Sequence, residues 1–479
     1  LDQFSSLGVD SRQRLRPKTD TISPIVADPQ DSSMGRNFAI RCVVFYLFVR
    51  FAYVHEVITA KTGINTYLVL LSSLVTIPLV IFNGGLRRTF SGFTGRVWLA
   101  FGVWLFCDSV FSMWFAGSVK LVWSYFQTVF PMVIIAGGVA LRLTEIRSMM
   151  YAFGAASLCN VLTARFFADA SSERAEGMSI GTGTIGNAND FAAHLIFVLP
   201  FIIFAIIVVR SRLIKTGGCV LFAYAFYLCV STGSRGALLA IAAMTIFVLF
   251  RGPARGRIAI LLAGPIVAAT LLAVLPGALL QRYRTIFDEN SAGLPEEAVA
   301  SAAARKELFR KSLQITAEHA LTGVGVGQFQ LANGADLVKN GIHAEWQVTH
   351  NTYTQLSSET GLTGLLLYLS AIAGAFVLLQ SVPRLTRGLP DESLAATAAF
   401  CLSMSLVGWT VASFFLSQAY TIYMPTMLGL AISMSRVANR RPVAVALPQA
   451  PPPRWQRVNA VPARPNYRGG PARGYKGPG

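Results

Sequence analysis

The sequence predicts an all-α polytopic membrane protein with about twelve transmembrane helices and one large extracytoplasmic loop between helices 9 and 10. Three observations predict it. The 479 residues are 53% hydrophobic and only 13% charged, with mean hydropathy +0.52, whereas soluble domains carry about a quarter charged residues. Apolar runs of roughly twenty residues recur along the whole length, which is what a helix needs to cross a ~30 Å hydrocarbon core. The short connections between those runs carry their Lys and Arg on alternate sides. A transmembrane β-barrel would instead alternate apolar and polar residues, and runs such as Phe191 to Val209 do not.

Residues 1 to 36 are polar, hold Pro17, Pro24 and Pro29, and lack an apolar core followed by a cleavage-like site. They read as a disordered cytoplasmic tail and not as a signal peptide. A transmembrane domain follows over 37 to 435. Its expected spans are 37 to 54, 64 to 83, 97 to 116, 119 to 141, 148 to 167, 190 to 209, 217 to 232, 236 to 250, 258 to 276, 355 to 380, 393 to 412 and 418 to 435.

With the N-terminus inside, five connections on the cytoplasmic side hold thirteen Lys/Arg: Arg87, Arg88, Arg96, Arg142, Arg147, Arg210, Arg212, Lys215, Arg251, Arg255, Arg257, Arg384 and Arg387. The short loops opposite hold five, Lys61, Lys120, Arg165, Arg174 and Arg235. That asymmetry sets the orientation. It places the connection 277 to 354 outside, where a loop this long carries function. Within that loop, Ala302 to His319 reads as an amphipathic helix with Arg305, Phe309, Ser312 and Leu313 along one side.

The formal charge of +18 does not signal nucleic-acid binding, because nine of the Lys/Arg lie in the Pro/Gly/Arg-rich tail 436 to 479 and most others in topology-setting loops. The tail reads as disordered, in reach of anionic lipid headgroups. All six cysteines fall in apolar segments. Neither a disulfide nor a Cys-based metal site is expected.

The residues that could carry chemistry cluster after the long loop. His350-Asn351 is followed by nine residues, Gly361, two residues and Gly364, at the start of the tenth span. This stretch closely resembles the signature of the O-antigen ligase and O-antigen polymerase superfamily, membrane glycosyltransferases of the GT-C type. Ser231-Thr-Gly-Ser-Arg-Gly236 resembles that family's Ser-Arg-Gly motif. Arg305 with Leu308-Phe309, and Gly323-Val-Gly-Val-Gly-Gln-Phe329, resemble its loop pattern, although His319-Ala320 stands where the family usually has a proline. Gly186-Asn-Ala-Asn-Asp190 looks like a family pattern too.

The resemblance implies a bacterial inner-membrane enzyme whose site faces the extracytoplasmic side. Its donor is a polyprenyl-pyrophosphate-linked glycan, its acceptor a lipid A core, a growing glycan or a protein hydroxyl, and membrane lipid is a further partner. Nucleic acid is not expected. Such a reaction must orient the acceptor, take its proton and neutralise phosphate charge, which calls for a base near neutral pKa and fixed guanidinium forks. His350 is then the expected base, held neutral at a helix N-terminus. Arg235 and Arg305 are the expected catalytic phosphate clamps.

Asn351, Arg310, Gly361, Gly364, Asn187 and Asn189 complete the expected substrate contacts. Competing structural roles stand beside these. Arg235 fits an interface anchor, Arg305 and Arg310 a solvated helix face, the two glycines close helix packing, and Asn187 to Asp190 a helix cap. Of the intramembrane charges Arg50, His55, Glu56 and Asp108, none is assigned a role, and Arg50 with Glu56 reads as a self-satisfying pair.

The five histidines lack paired i, i+4 ligand spacing, and the first outer loop has one acid. Many GT-C enzymes with dolichyl-type donors carry acidic residues there. Metal-independent, inverting transfer without a cofactor is therefore expected. A transporter, the alternative from another class, would show matched broken helices in its two halves, which the sequence does not.

Overall fold

Helices make up the regular structure of the described residues, and no strand occurs among them. The computed structural model describes residues 34–167, 184–284, 296–343, 346–440, 477 and 479. Most of the two expected tails, and Arg174, lie outside them. All elements below belong to one unit, Pro29–Arg440.

In chain order the helices are α1 (Met34–Ala52), α2 (Val54–Thr62), α3 (Leu68–Phe82), α4 (Gly85–Phe90), α5 (Phe93–Ser109), α6 (Phe115–Thr128), α7 (Pro131–Gly138), α8 (Leu143–Phe167) and α9 (Ala188–Val208). There follow α10 (Arg212–Ser231), α11 (Arg235–Arg251), α12 (Ala254–Val274), α13 (Gly277–Arg284), α14 (Glu296–Glu318), α15 (Phe329–Lys339), α16 (Thr352–Leu385), α17 (Glu392–Ala412) and α18 (Tyr423–Asn439).

Six helical stretches among the described residues are long and apolar enough to cross a membrane, and seven if the bent pair α1 and α2 counts as one span. Helix covers most of each expected segment, but 64–67, 110–114 and 418–422 are not helical and several helices are short: α3 has 15 residues, and α5, α11 and α18 have 17 each. The first helix starts at Met34, inside the segment read as tail. Among its described residues the expected loop contains α13, α14 and α15, and α16 begins before its end.

The expected face of the loop helix is rotated. Leu308, Ser312, Ile315 and Thr316 are buried positions of α14, Arg305 and Phe309 are half-buried, and Leu313 is exposed. The reason is the partner. Leu308 and Ile315 pack with Val324 and Phe329 of the following segment into a small core of their own, and Thr316 bonds Ser357 of α16 at 2.8 Å.

Inside the bundle α9 is buried on nearly every side, as an all-apolar helix should be. Its Phe197 stacks on Phe51 and packs edge-on against Trp409 and Tyr423. Because lipid is as apolar as these side chains, close packing and polar bonds between helices hold the bundle together. His194 of α9 supplies such bonds. Its Nδ1 lies 3.1 Å from the Tyr423 hydroxyl, which lies 3.0 Å from that of Tyr53, while Asn160 bonds the other ring nitrogen. At the opposite extreme α12 has no buried residue.

Candidate functional site

The expected site residues come from elements far apart in sequence, and one short connection gathers them. Between α17 and α18 the chain makes a 3-10 turn, Ser413–Phe415, and continues through Leu416 to Gln418. Phe415 lies against Gly236, where a Cβ would stand 2.7 Å from the Phe415 Cβ; only glycine fits beside Arg235. The Phe414 ring is 6.2 Å from Phe309 of α14 and 6.2 Å from Tyr353 of α16. Thr352 donates to the Leu416 carbonyl (2.7 Å) and accepts from the Gln418 N–H (3.0 Å). Gln418 Nε2 donates to Asp190 of α9 at 2.9 Å.

The N-termini of α9, α11 and α16 are thus pinned to the same connection. Each is capped by a short polar side chain. Asn187 accepts from the Asn189 and Asp190 N–H groups (2.8 and 3.1 Å), Ser234 from Ala237 (3.4 Å), and Asn351 from Tyr353 and Thr354 (2.9 and 3.1 Å). A helix N-terminus carries roughly half a positive charge. Three of them beside Arg235 and Arg305 make a region suited to an anion.

His350 stands one residue before the Asn351 cap with φ 51, the left-handed region that costs a non-glycine residue ~1–2 kcal/mol. Ser417 holds it there. The His350 N–H donates to Ser417 Oγ (2.9 Å), and Thr349 Oγ1 lies 3.0 Å from the same oxygen. Burial first, and then the nearby positive charge of Arg305, push the His350 pKa below its ordinary 6.5. The imidazole is therefore neutral at pH 7 and able to accept a proton. Arg305 lies within electrostatic reach of the His350 ring.

Arg235 is the first residue of α11, after the turn Ser231–Ser234. That turn is clamped by α13, which the sequence reading passed over. Arg282 is buried and its Nε donates to the Gly233 carbonyl at 3.1 Å, and the Tyr283 hydroxyl donates to the Val230 carbonyl at 2.5 Å. One signal was available, since Arg282, like Arg235, lies on the side the charge asymmetry leaves poor in arginine. Ser417, Phe414 and Phe415 carried no signal; nothing around them in sequence forms a motif.

The glycines of the His350 stretch meet protein. Gly361 breaks α16 with φ 67 and ψ −178, and a Cβ there would stand 2.1 Å from the Leu321 carbonyl oxygen. The Leu362 N–H reaches the Ala320 carbonyl at 2.8 Å through this gap, and Gly364 packs on Thr360 and Trp104. The glycine run is then bound to α16: Val324 and Gly325 N–H donate to the Ser358 and Glu359 carbonyls, each at 2.9 Å. The spacing of the His350 motif thereby docks the loop that carries Arg305.

Residues 220–369 match the O-antigen ligase family. The match takes in the Ser-Arg-Gly turn, α14, the glycine run and the whole His350 stretch, and supports the resemblance to the O-antigen ligase and polymerase superfamily. No curated protein matches the chain. Together with the apolar helices, the match supports an O-antigen ligase- or polymerase-like membrane glycosyltransferase. Asn187 and Asn189 lie outside the matched segment but are joined to the Ser413–Gln418 connection through Asp190 and Gln418.

Arg310 is not brought to the site. It is exposed and forms an ion pair with Glu307 of the same helix at 2.9 Å. Glu56 accepts from the Thr184 N–H (2.8 Å) and hydroxyl (2.6 Å), which replaces the expected pairing with Arg50. Asp108 is fully buried, within electrostatic reach of Glu359 below the glycine run. Among the described residues no group of three or more His, Cys, Asp or Glu could hold a metal ion.

Proposed function

We propose that this protein transfers a polyprenyl-pyrophosphate-linked glycan to an acceptor hydroxyl on the extracytoplasmic side, as an O-antigen ligase does. The observation that carries the reading is the convergence of three helix N-termini, Arg305 and a neutral His350 on the Ser413–Gln418 connection. A pyrophosphate is the anion such a place suits, with Arg235 and Arg305 supplying bidentate donors. In the proposed step the acceptor oxygen attacks the anomeric carbon and inverts it. His350 takes the hydroxyl proton, and the bond to the pyrophosphate oxygen breaks with its electron pair leaving on phosphate.

No metal is needed in this scheme, because fixed guanidiniums and helix termini stabilise the leaving charge. The test is transfer by the purified protein from a lipid-linked glycan to lipid A core, to a free glycan and to a hydroxyl-bearing peptide, each with and without excess chelator. Chelator-resistant transfer to one of these acceptors is the expected result. Absence of transfer to all three rejects the reading, and loss with chelator that Mg²⁺ restores rejects its metal independence.

A further inference from the structure

The opposite end of the bundle holds a second feature that the transfer reaction does not use. A groove of about 650 Å³ runs between α1 and α8, within the size of ordinary ligand sites, about 300–1,000 Å³. Its floor is apolar, made by Val44, Phe45 and Phe48 on one wall and Tyr151, Ala152 and Ala155 on the other. Its mouth holds Arg41, Arg147, Thr144 and Ser148. α8 begins at this mouth, so its positive N-terminal end adds to the two guanidiniums.

The one acid in the lining is already committed. Glu145 pairs with Arg36 at 2.6 Å and accepts from the Leu141 and Arg142 N–H groups at 2.8 and 3.2 Å. Among the described residues no hydrogen bond or ion pair engages Arg41 or Arg147. A second groove of similar size, about 670 Å³, lies between α5, α16 and α18. There the arginines bond backbone: Arg88 to the Gly138 carbonyl (3.3 Å), and Arg436 to those of Arg88 (3.3 Å) and Ala140 (2.8 Å).

We propose that the α1–α8 groove is a binding site for an anionic glycerophospholipid, in the leaflet that the charge asymmetry assigns to the cytoplasm. The phosphate sits between Arg41 and Arg147, with the Thr144 and Ser148 hydroxyls in reach, and an acyl chain lies along the Phe45, Phe48 and Tyr151 wall. Charge complementarity selects the occupant. A zwitterionic lipid brings its own cation to a mouth that already holds two, whereas an anionic headgroup gains roughly tenfold or more from two basic residues near the surface.

The experiment is lipid retention by native mass spectrometry, with thermal unfolding in parallel, on the full chain in nanodiscs of phosphatidylglycerol or phosphatidylcholine. The proposal predicts that phosphatidylglycerol is retained and raises Tm, and that phosphatidylcholine and free glycerol phosphate do neither. Arg41→Gln/Arg147→Gln should lose about tenfold in phosphatidylglycerol affinity, and Arg41→Lys/Arg147→Lys should keep most of it. Arg251→Gln/Arg255→Gln, which removes two exposed charges elsewhere, should change nothing. Equal retention of both lipids by the wild-type protein overturns the proposal even if the groove variants do not fold. Equal losses in the two Gln pairs overturn it as well.

Discussion

The two ends of this helical bundle are tied together by different kinds of side chain. At the end opposite His350, Arg36 pairs with Glu145, and Arg436 caps the Arg88 and Ala140 carbonyls. Those charges tie elements together. At the His350 end most ties are made by neutral groups instead, Ser417, Thr349, Thr352, Gln418 and the caps Asn187, Ser234 and Asn351, with Arg282 and Asp190 the charged exceptions. The positive groups there, Arg235, Arg305 and three helix N-termini, are gathered around a strained, neutral histidine. One end ties its helices largely through charge; the other builds most of its scaffold from amides and hydroxyls.

This contrast breaks most visibly on stability. Arg36→Met should destabilise the protein by about 3–5 kcal/mol, because it leaves Glu145 buried without its partner. Activity per folded molecule should be unchanged. Denaturant unfolding in detergent, with specific activity measured alongside, checks both halves.

At the other end Arg305→Gln should leave the unfolding midpoint nearly unchanged and lower donor affinity. It should also move the pH profile. His350 must be neutral to act, and its pKa lies below 6.5, so wild-type activity falls only as pH drops below that value. Without the Arg305 charge the pKa rises, and the acid limb should move up toward 6.5. An unmoved limb would separate Arg305 from the base.

Smaller effects sharpen the account. Ser417→Ala removes the hydroxyl that holds the left-handed His350 and should slow turnover about tenfold, the equivalent of one hydrogen bond of ~1–1.5 kcal/mol, with donor KM little changed. Arg310→Ala, on the solvent side of α14, should change neither stability nor rate by more than the ~0–1 kcal/mol of an exposed pair. Transfer kinetics with both variants decide this.

Much of this was legible in the sequence because it is local. Helical class follows from apolar runs, and the caps Asn187 and Asn351 stand directly before the helices they start. The Gly361 and Gly364 spacing was visible, but not its cause, the close approach of Leu321 from another segment. The gathering connection was not legible at all. Ser417 acts on His350 across 67 positions and Phe415 on Gly236 across more, so their roles exist only once the helices are packed. The face of α14 was misread for a similar reason: the small core that buries Leu308 and Ile315 is supplied by the following segment.

The central claim is that the His350 imidazole takes the acceptor proton, and His350→Asn tests it most directly. Asparagine accepts the left-handed backbone that Ser417 holds, so the scaffold is kept while the base is removed. In single-turnover transfer from a polyprenyl-pyrophosphate glycan, the account predicts a rate lower by roughly 10²–10⁴ with donor binding intact. A His350→Asn protein that transfers glycan at close to the wild-type rate would contradict it.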